Sequence, residues 1–375
     1  MGQNCAASAS IGILFCCQRC NAEKLRNAFT FLPPPPSYTV ECEGDDGDGK
    51  IVYILDAMVN NAYYQRAASI GNVRFVRTAR QERIPIVWLR RKFVGNSYAA
   101  GGMNRGNASD SAPLVLLHCH GNATDIGMMM GLYFQLSQQL GVEIVGVEYS
   151  GYGAATGAPN AKNTHADVEA AYDLLVGAGV APQRIVAYGQ SVGSGPVCGL
   201  AAKRPLGGLV LHSPMMSGVK VIDPQPNKCC RPSCVYHCFD FYPNDKMMKG
   251  LGCPGFVIHG QQDDVIPFYH GHRLSETIPK QNRWPGYFPR AAGHNDIVET
   301  DPEEYFKELR SFLANVTERA MGTATTVGKP TQMEMASMAA GPNDGYAGNA
   351  LPPMSEPVVG PQDGRYQQMR AGSHR

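Results

Sequence analysis

From Leu114 onwards, the sequence alternates between short, fully apolar runs and segments of helical length, and this alternation limits the possible folds more than any other feature. Fully apolar runs are typical of strands that are buried on both faces, and the segments between them are long enough to be crossover helices. The pattern therefore predicts an α/β fold with a mostly parallel central sheet flanked by helices. The predicted strands are residues 114–118, 143–148, 185–188, 208–212, 256–259 and 286–291, and the predicted helices are residues 125–140, 163–178, 194–202, 268–278 and 303–316.

The two ends of the chain differ in composition from this middle part. Four consecutive prolines at residues 33–36 would stop both a helix and a paired strand, so we predict a leader over residues 1–32 and a folded domain over residues 33–317. Near its start the domain has two predicted strands, residues 72–80 and 84–90, that a tight turn joins. Residues 318–375 are rich in Gly, Pro, Met, Ala and Gln without periodicity, and we predict a disordered tail there.

Charge and hydropathy argue against two classes of partner or location. The chain has 33 basic and 32 acidic residues, so it lacks the basic excess that nucleic-acid backbones require, and we expect no nucleic-acid partner. No run reaches the 18 or so consecutive apolar residues of a membrane span, so no spanning segment is predicted. With 43% hydrophobic residues, the chain can instead bury a large core.

A Gly-x-Ser-x-Gly motif lies at residues 189–193, between a predicted strand and a predicted helix of small residues. This strand–turn–helix context is that of the nucleophile elbow of α/β hydrolases. The two glycines are needed because the strand and helix backbones meet where a Cβ would collide. A chance turn that contains a serine is the ordinary alternative, and the residues described next argue against it. We therefore predict that Ser191 is a nucleophile.

A serine hydroxyl becomes an effective nucleophile only when a base takes its proton, and this fold supplies an acid and then a histidine after the serine. Asp263 follows a predicted strand, and His294 lies in a loop beside a glycine before the last predicted helix. We predict that these two residues complete a Ser-His-Asp triad, with Asp264 as the alternative acid. Three further histidines in or at the ends of strands are predicted to be structural: His118, His212 and His259.

The tetrahedral intermediate of acyl transfer needs two backbone N–H donors, which form an oxyanion hole. The residue after the nucleophile, Val192, supplies the first. The second comes from the loop that follows an early strand, which here carries the sequence His-Gly-Asn-Ala at residues 120–123. Either Asn122 or Ala123 can be this donor, and the sequence leaves the choice open.

Five segments together resemble the α/β-hydrolase-domain-containing family 17, over roughly residues 70 to 315. They are residues 120–123, 149–153, 189–193, 239–244 and 293–297. The resemblance implies an α/β-hydrolase fold with Ser191, Asp263 and His294 as its triad. It also implies the activity of a membrane-anchored protein depalmitoylase, whose N-terminal cysteines are themselves S-acylated.

The leader has the residue types that membrane anchoring through acyl chains requires. Its cysteines lie beside apolar residues and near Arg19, Lys24 and Arg26, which favours reversible palmitoylation next to a basic, membrane-facing strip. Gly2 invites myristoylation, although Ala6 stands where that motif has Ser or Thr. A disordered leader with incidental cysteines is the alternative. The predicted lipidation sites are Cys5, Cys16, Cys17 and Cys20.

We expect the protein at the cytoplasmic face of the plasma membrane or of endosomes, with S-acylated membrane proteins as substrates and the membrane surface as a partner. Three N-glycosylation sequons, at Asn107, Asn122 and Asn315, would favour secretion. A glycan on Asn122 would lie in the predicted oxyanion loop, however, so the sequons favour a compartment in which they are not used.

A second cysteine group lies in residues 218–250, which we predict to form a small cap over the active-site mouth. Its spacing matches none of the paired patterns of zinc sites, so we expect neither a metal nor a cofactor. The cysteines of this group are Cys229, Cys230, Cys234 and Cys238.

The predicted triad is compatible with more than one substrate class. An acyl-protein thioesterase that removes palmitate from cysteines is the leading hypothesis. A serine peptidase of the prolyl-oligopeptidase-like clan and a lipid or carboxyl esterase remain open, because the same triad serves all of them. A scaffold without activity is disfavoured because every catalytic part is present.

Overall fold

The computed structural model describes residues 26–28, 30–42, 48–90, 113–222 and 240–322. Within these ranges, nine strands form one sheet in the order β1-β2-β3-β4-β6-β5-β7-β8-β9. The strands are β1 (Tyr38–Cys42), β2 (Gly49–Tyr53), β3 (Gly71–Arg77), β4 (Arg83–Leu89), β5 (Val115–Cys119), β6 (Glu143–Val147), β7 (Ile185–Gln190), β8 (Gly208–His212) and β9 (Gly255–Ile258).

The helices of the described ranges lie between these strands or, for the last three, after β9. They are α1 (Asp56–Val59), α2 (Ala62–Ile70), α3 (Ile126–Leu140), α4 (Ala161–Gly177), α5 (Ser194–Ala201), α6 (Asn244–Met247), α7 (Tyr269–Thr277), α8 (Ile297–Thr300) and α9 (Pro302–Ala320). Short 3-10 turns are present at Pro182–Arg184, Ser191–Gly193, Val219–Ile222, Met248–Gly250 and Lys280–Asn282. None of the described helices is both long enough and apolar enough to cross a membrane.

The predicted fold class is confirmed. Strands β5 to β9 run parallel to one another, whereas β1 to β4 form an antiparallel extension in which β4 pairs with β6. The parallel strands are mainly apolar because both of their faces are covered. Ile144 and Val186 pack into the core on one side of the sheet, and their neighbours Val145 and Ala187 pack into the core on the other side.

Helix ends follow local rules. At the start of α3, the Asp125 side chain accepts a hydrogen bond from the N–H of Met128, and Gly141 ends the helix with a φ of 68°. Asp301 and Pro302 start α9 in the same manner, since Asp301 accepts from the N–H of Glu304 and Pro302 occupies the first turn. These caps explain why both helices lie within a few residues of their predicted bounds.

One predicted strand is wrong. Residues 286–291 form no strand and make one isolated bridge, which joins Tyr287 to Ile258. Pro285 and Pro289 have no N–H to donate to a ladder, so a continuous strand cannot form here. The elements from β1 to α2 carry no prediction from the sequence, because their patterns are short and mixed.

The domain limits also differ from the sequence prediction. Phe31 is buried in the same core as Tyr242, so the domain begins before the predicted leader ends at residue 32. At the other end, α9 continues to Ala320, beyond the predicted domain end at residue 317. The structure describes part of the predicted cap, residues 218–222 and 240–250, while residues 1–25, 223–239 and 323–375 lie outside the described residues.

Two helical glycines allow a test of how tightly α5 packs against Tyr242. A Cβ on Gly195, in α5, would lie 2.2 Å from Cγ of Tyr242, whereas a Cβ on Gly177, at the end of α4, would meet nothing within 4 Å. We expect Gly195→Ala to lower the free energy of unfolding by about 1–3 kcal/mol through overpacking. Gly177→Ala should leave it unchanged or raise it by about 0.5 kcal/mol. Urea denaturation of both variants measures the difference, and equal midpoints would contradict this account of the contact.

Candidate active site

Ser191 occupies a strained turn between β7 and α5. Its φ is 53°, a left-handed value that is unusual for a residue with a side chain. The turn is tight because Gly189 and Gly193 allow close backbone contacts. A Cβ on Gly193 would lie 2.3 Å from the carbonyl oxygen of Cys119, and one on Gly189 would lie 2.5 Å from that of Gly193. Strand, turn and helix therefore have the packing that the motif predicts.

The structure brings Ser191, His294 and Asp263 into one chain of hydrogen bonds. Nε2 of His294 lies 3.0 Å from Oγ of Ser191, and Nδ1 of His294 lies 2.7 Å from Oδ2 of Asp263. An ionised Asp263 can only accept, so Nδ1–H of His294 donates to it and Nε2 accepts from the serine hydroxyl. The imidazole is therefore held in the tautomer that a general base requires.

Asp263 is a buried carboxylate with four hydrogen-bond donors around it. Its Oδ1 accepts from the N–H groups of Val265 at 2.9 Å and Ile266 at 2.7 Å. Its Oδ2 accepts from His294 and also lies 3.0 Å from Nε2 of His259. Burial alone would raise the pKa of Asp263, but the hydrogen bonds from His259 and His294 outweigh it and hold the pKa well below its usual range. Asp263 is therefore ionised at neutral pH.

The two adjacent acids at this position have different environments. Asp263 lies against His294, while the side chain of Asp264 is exposed. The structure thus places the predicted acid, Asp263, against His294, and the alternative acid, Asp264, has an exposed side chain.

His259 contacts the site although the sequence analysis assigned it a purely structural role. Its Nε2–H is shared between Oδ2 of Asp263 and the carbonyl oxygen of Ile266, at 3.0 and 2.9 Å. Gly271 of α7 packs against the other side of the ring, since a Cβ there would lie 2.3 Å from Nδ1 of His259. The spacing of four residues between His259 and Asp263, across a strand end, is a signal that could have indicated this contact.

The other two histidines lie deeper in the core. His212 is hydrogen-bonded through Nδ1 to the hydroxyl of Tyr188 at 2.6 Å, and burial lowers the pKa of His212 to about 3. His118 stacks on the same tyrosine ring, with 4.8 Å between ring centroids, and burial lowers its pKa well below the usual value. Both rings are therefore neutral at physiological pH.

The loop after β5 lies beside the nucleophile. A Cβ on Gly121 would lie 3.9 Å from Cβ of Ser191, and Ala123 adopts a left-handed φ of 55°. Asn122 and Ala123 follow Gly121 in this turn, and Val192 follows Ser191 on the elbow. The role of these three residues in an oxyanion hole stays a prediction, and so does the choice between Asn122 and Ala123 as donor.

A buried acid supports this loop from below. Glu148, at the end of β6, accepts hydrogen bonds from the hydroxyl of Tyr38 at 2.8 Å and the N–H of Ile126 at 3.1 Å, and its Oε1 lies 3.0 Å from Nε2 of His120. Burial raises the pKa of Glu148, and its hydrogen bond with His120 opposes that rise. The hydroxyl of Tyr149 donates to the carbonyl oxygen of His120 at 2.6 Å. His120 is thus held at its ring and at its backbone.

Hydrogen bonds also connect the elbow to the segment after β8 and to α6. Oγ of Ser194 donates to the carbonyl oxygen of Ser191 at 2.6 Å. Nδ2 of Asn244 donates to Oγ of Ser194 at 3.3 Å and to the carbonyl oxygen of Met215 at 2.9 Å. Sequence reasoning assigned no function to Ser194 or Asn244, because their partners are more than 20 residues away or are backbone atoms.

The described residues contain no group of three or more His, Cys, Asp or Glu side chains that could hold a metal ion. The two cysteine groups of the sequence analysis, in residues 5–20 and 229–238, lie outside the described residues. The expectation about metals in the second group therefore stays a prediction, as does lipidation of the first.

Comparison with known proteins gives relatives that extend over most of the chain. It is 33% identical over 304 residues to the human Alpha/beta hydrolase domain-containing protein 17B, and the match covers 80% of this chain and 94% of that protein. It is 34% identical over 315 residues to the Caenorhabditis elegans Alpha/beta hydrolase domain-containing protein aho-3, and the match covers 83% of this chain and 84% of that protein. No family model matches the chain.

Among solved structures, the fold is similar to that of the Pyrococcus furiosus esterase Pf2001. The TM-score is 0.51 at 14% sequence identity, and the match covers 76% of this chain and 98% of the esterase. At this identity the likeness concerns the fold.

Substitution of the two neighbouring acids tests the assignment of Asp263. Asp263→Asn should lower kcat for an aryl ester by about 10³–10⁴-fold, because the amide disturbs the tautomer of His294 and removes the charge that stabilises its imidazolium form. Asp264→Asn should stay within about twofold of the wild type, because its side chain is exposed to solvent. Steady-state hydrolysis at saturating ester measures both variants. A large loss in Asp264→Asn with a small one in Asp263→Asn would reverse the assignment.

Proposed function

Because this chain belongs to the α/β-hydrolase-domain-containing family 17, we propose that it is a serine hydrolase that removes palmitoyl groups from cysteines of membrane-attached proteins. That the chain is an α/β hydrolase rests on its relatives and its fold. The observation that carries the finer proposal is the chain of hydrogen bonds from Ser191 through His294 to Asp263.

In the acylation step, Oγ of Ser191 attacks the thioester carbonyl carbon while its proton moves to Nε2 of His294. Asp263 remains ionised and stabilises the imidazolium that forms. The carbonyl oxygen becomes an oxyanion, which accepts hydrogen bonds from the N–H of Val192 and from that of Asn122 or Ala123. When the tetrahedral intermediate collapses, the carbon–sulfur bond breaks, the cysteine thiolate leaves with a proton from His294, and Ser191 carries the acyl group.

Deacylation repeats these steps with water as the nucleophile. Nε2 of His294 takes a proton from water, and the resulting hydroxide adds to the acyl carbon. The second tetrahedral intermediate collapses with breakage of the ester bond, and His294 returns the proton to Oγ of Ser191. The products are a fatty acid and the free enzyme, so no cofactor is consumed.

A thioester suits this site because a thiolate is a far better leaving group than an amine, whose departure depends fully on protonation by His294. The leader supports the same substrate class, since acylated cysteines at residues 5–20 would hold the enzyme at the membrane surface where S-acylated proteins lie. Anchoring raises the effective concentration of the enzyme for such substrates.

The cytoplasmic face of the plasma membrane or of endosomes is the location that we propose. Two of the three sequons support it. Asn315 is buried on α9, and Nδ2 of Asn122 donates to the carbonyl oxygen of Thr30 at 2.7 Å. A glycan on either amide would disrupt the folded domain, so the domain is suited to a compartment without N-glycosylation.

The choice of scissile bond is tested with matched substrates. We expect a palmitoyl-cysteine peptide to be hydrolysed at least about tenfold faster than the oxygen ester of the matching serine peptide, and the amide to be hydrolysed least, following leaving-group ability. Ser191→Ala should lower thioester hydrolysis by about 10⁴-fold or more and abolish labelling by a fluorophosphonate probe. Ser69→Ala, at an exposed serine of α2, is the control and should behave as the wild type.

Three results would change the proposal. Comparable cleavage of the amide would favour a serine peptidase, and a clear preference for the oxygen ester would favour a lipid or carboxyl esterase. A folded wild-type chain that the probe does not label would contradict the serine mechanism.

A further inference from the structure

The side chain of Asn122 makes three hydrogen bonds, and none of them is within its own turn. Its Oδ1 accepts from the backbone N–H of Leu32 at 2.9 Å and from the hydroxyl of Tyr152 at 2.7 Å, while its Nδ2 donates to the carbonyl oxygen of Thr30 at 2.7 Å. Both acceptor positions of the amide oxygen are thus used. The opposite amide orientation would set an NH2 group against two donors, so only one orientation satisfies all three partners.

Two of these partners belong to residues 30–32, which we name the N-terminal strap. Phe31, between them, is 4% exposed and contacts the ring of Tyr242 edge-on, with 6.5 Å between centroids. The N–H of Phe31 also donates to the carbonyl oxygen of Asn27 at 2.9 Å, which closes a helical turn just before the strap. The strap is therefore fixed by a buried aromatic ring as well as by Asn122.

The turn that the strap contacts is the one that must hold an oxyanion donor. Gly121 lies beside Ser191, and Ala123 has a left-handed φ, which is unfavourable for a residue with a Cβ. A turn of this kind keeps its shape only if its surroundings hold it. His120 anchors it from the sheet side through Glu148, and on the solvent side Asn122 makes the contacts to the strap and to Tyr152.

We propose that Asn122 is a positioning residue and that the N-terminal strap is a working part of the active site, which holds the oxyanion turn against Ser191. The proposal rests on the acyl-enzyme function proposed above and goes beyond it. Backbone donors stabilise an oxyanion only when they are held at hydrogen-bond distance before the reaction, so a tie that fixes their turn acts on the transition state rather than on substrate binding.

The strap also connects the leader to the site. Residue 26 lies one helical turn from Thr30, a rise of about 6 Å, so the chain that carries the predicted lipidation sites enters the domain beside the oxyanion turn. The segment that leads to the membrane anchor and the segment that aligns the site are therefore the same stretch of chain.

Three substitutions in the full-length chain test this role. Asn122→Ala removes all three hydrogen bonds. Leu32→Pro removes the N–H that donates to Oδ1 of Asn122 and also fixes φ at residue 32, while it leaves the Asn122 side chain in place. Leu32→Ala keeps that N–H and is the comparator for Leu32→Pro, since the Leu32 side chain is largely exposed. Asn60→Ala, at an exposed asparagine after α1, is the control for loss of an amide.

The readouts are kcat and KM for an octanoyl aryl ester, with kcat expressed per serine that a fluorophosphonate probe titrates, and the melting temperature. We expect Asn122→Ala to lower kcat about tenfold or more with KM within about twofold. Leu32→Pro should have a kcat about threefold or more below that of Leu32→Ala, and Asn60→Ala should match the wild type. Dividing the rate by the number of titrated serines excludes unfolded chains, so a lower kcat then reports a misaligned site.

These measurements distinguish a failure of the strap proposal from a failure of the proposed thioesterase function. Equal kcat values per titrated serine across the series would overturn the strap proposal alone, and so would a loss that appears only in KM. A wild type that cleaves the aryl ester but no acyl-cysteine thioester would overturn the proposed substrate, while the ester series still decides the role of the strap. A folded wild type that neither labels nor hydrolyses the ester would overturn both. If Asn122→Ala fails to fold, the pair at Leu32 decides.

Discussion

The contact between the turn after β7 and the end of β5 is the constraint on which the rest of the site depends. Gly193 lies so close to the carbonyl of Cys119 that no Cβ fits between them. This packing holds Ser191 at a left-handed φ and brings Gly121, two residues beyond β5, beside the nucleophile. A backbone conformation of this kind costs about 1–2 kcal/mol, and tight packing of the two strand ends offsets it. One contact thus sets both the nucleophile and the turn of the predicted oxyanion donors.

Buried polar groups keep this arrangement rigid. Asp263 and Glu148 are both buried acids at the carboxyl edge of the sheet, and each has hydrogen-bond partners on both of its oxygens. A buried carboxylate without such partners would be strongly unfavourable, so the loops that supply the donors are held in place with it. The two acids serve different parts of the site, since Asp263 orients His294 and Glu148 supports His120. The hydrogen bonds that give these buried acids their partners therefore also hold the active-site loops in place before the reaction.

The success of the sequence analysis differs between parts of the chain for physical reasons. Strands β5 to β9 were predicted well because strands covered on both faces must be apolar throughout. Residues 286–291 were wrongly predicted as a strand because their apolar pattern was weighed above the prolines that interrupt it. This segment instead runs along the end of β9 and the loop after it, where the N–H of Gln261 donates to the carbonyl oxygen of Pro289 at 3.0 Å and that of Gln262 donates to Ala292 at 2.9 Å. That contact brings the loop of His294 to the loop of Asp263.

The sequence by itself determined the fold class, the elbow at Ser191 and the kinds of residue that would accompany it. These depend on short-range sterics and on the periodicity of apolar residues, both of which can be read locally. The sequence predicted Asp263 with Asp264 as the alternative. Only the tertiary structure showed that Asp263 is the acid that lies against His294, that His259 shares Asp263, and that Asn122 binds a strap 90 residues earlier in the chain. Those contacts join residues that are remote in sequence or adjacent to equivalent candidates. They are set by how the loops at one edge of the sheet pack together, and no local pattern records that packing.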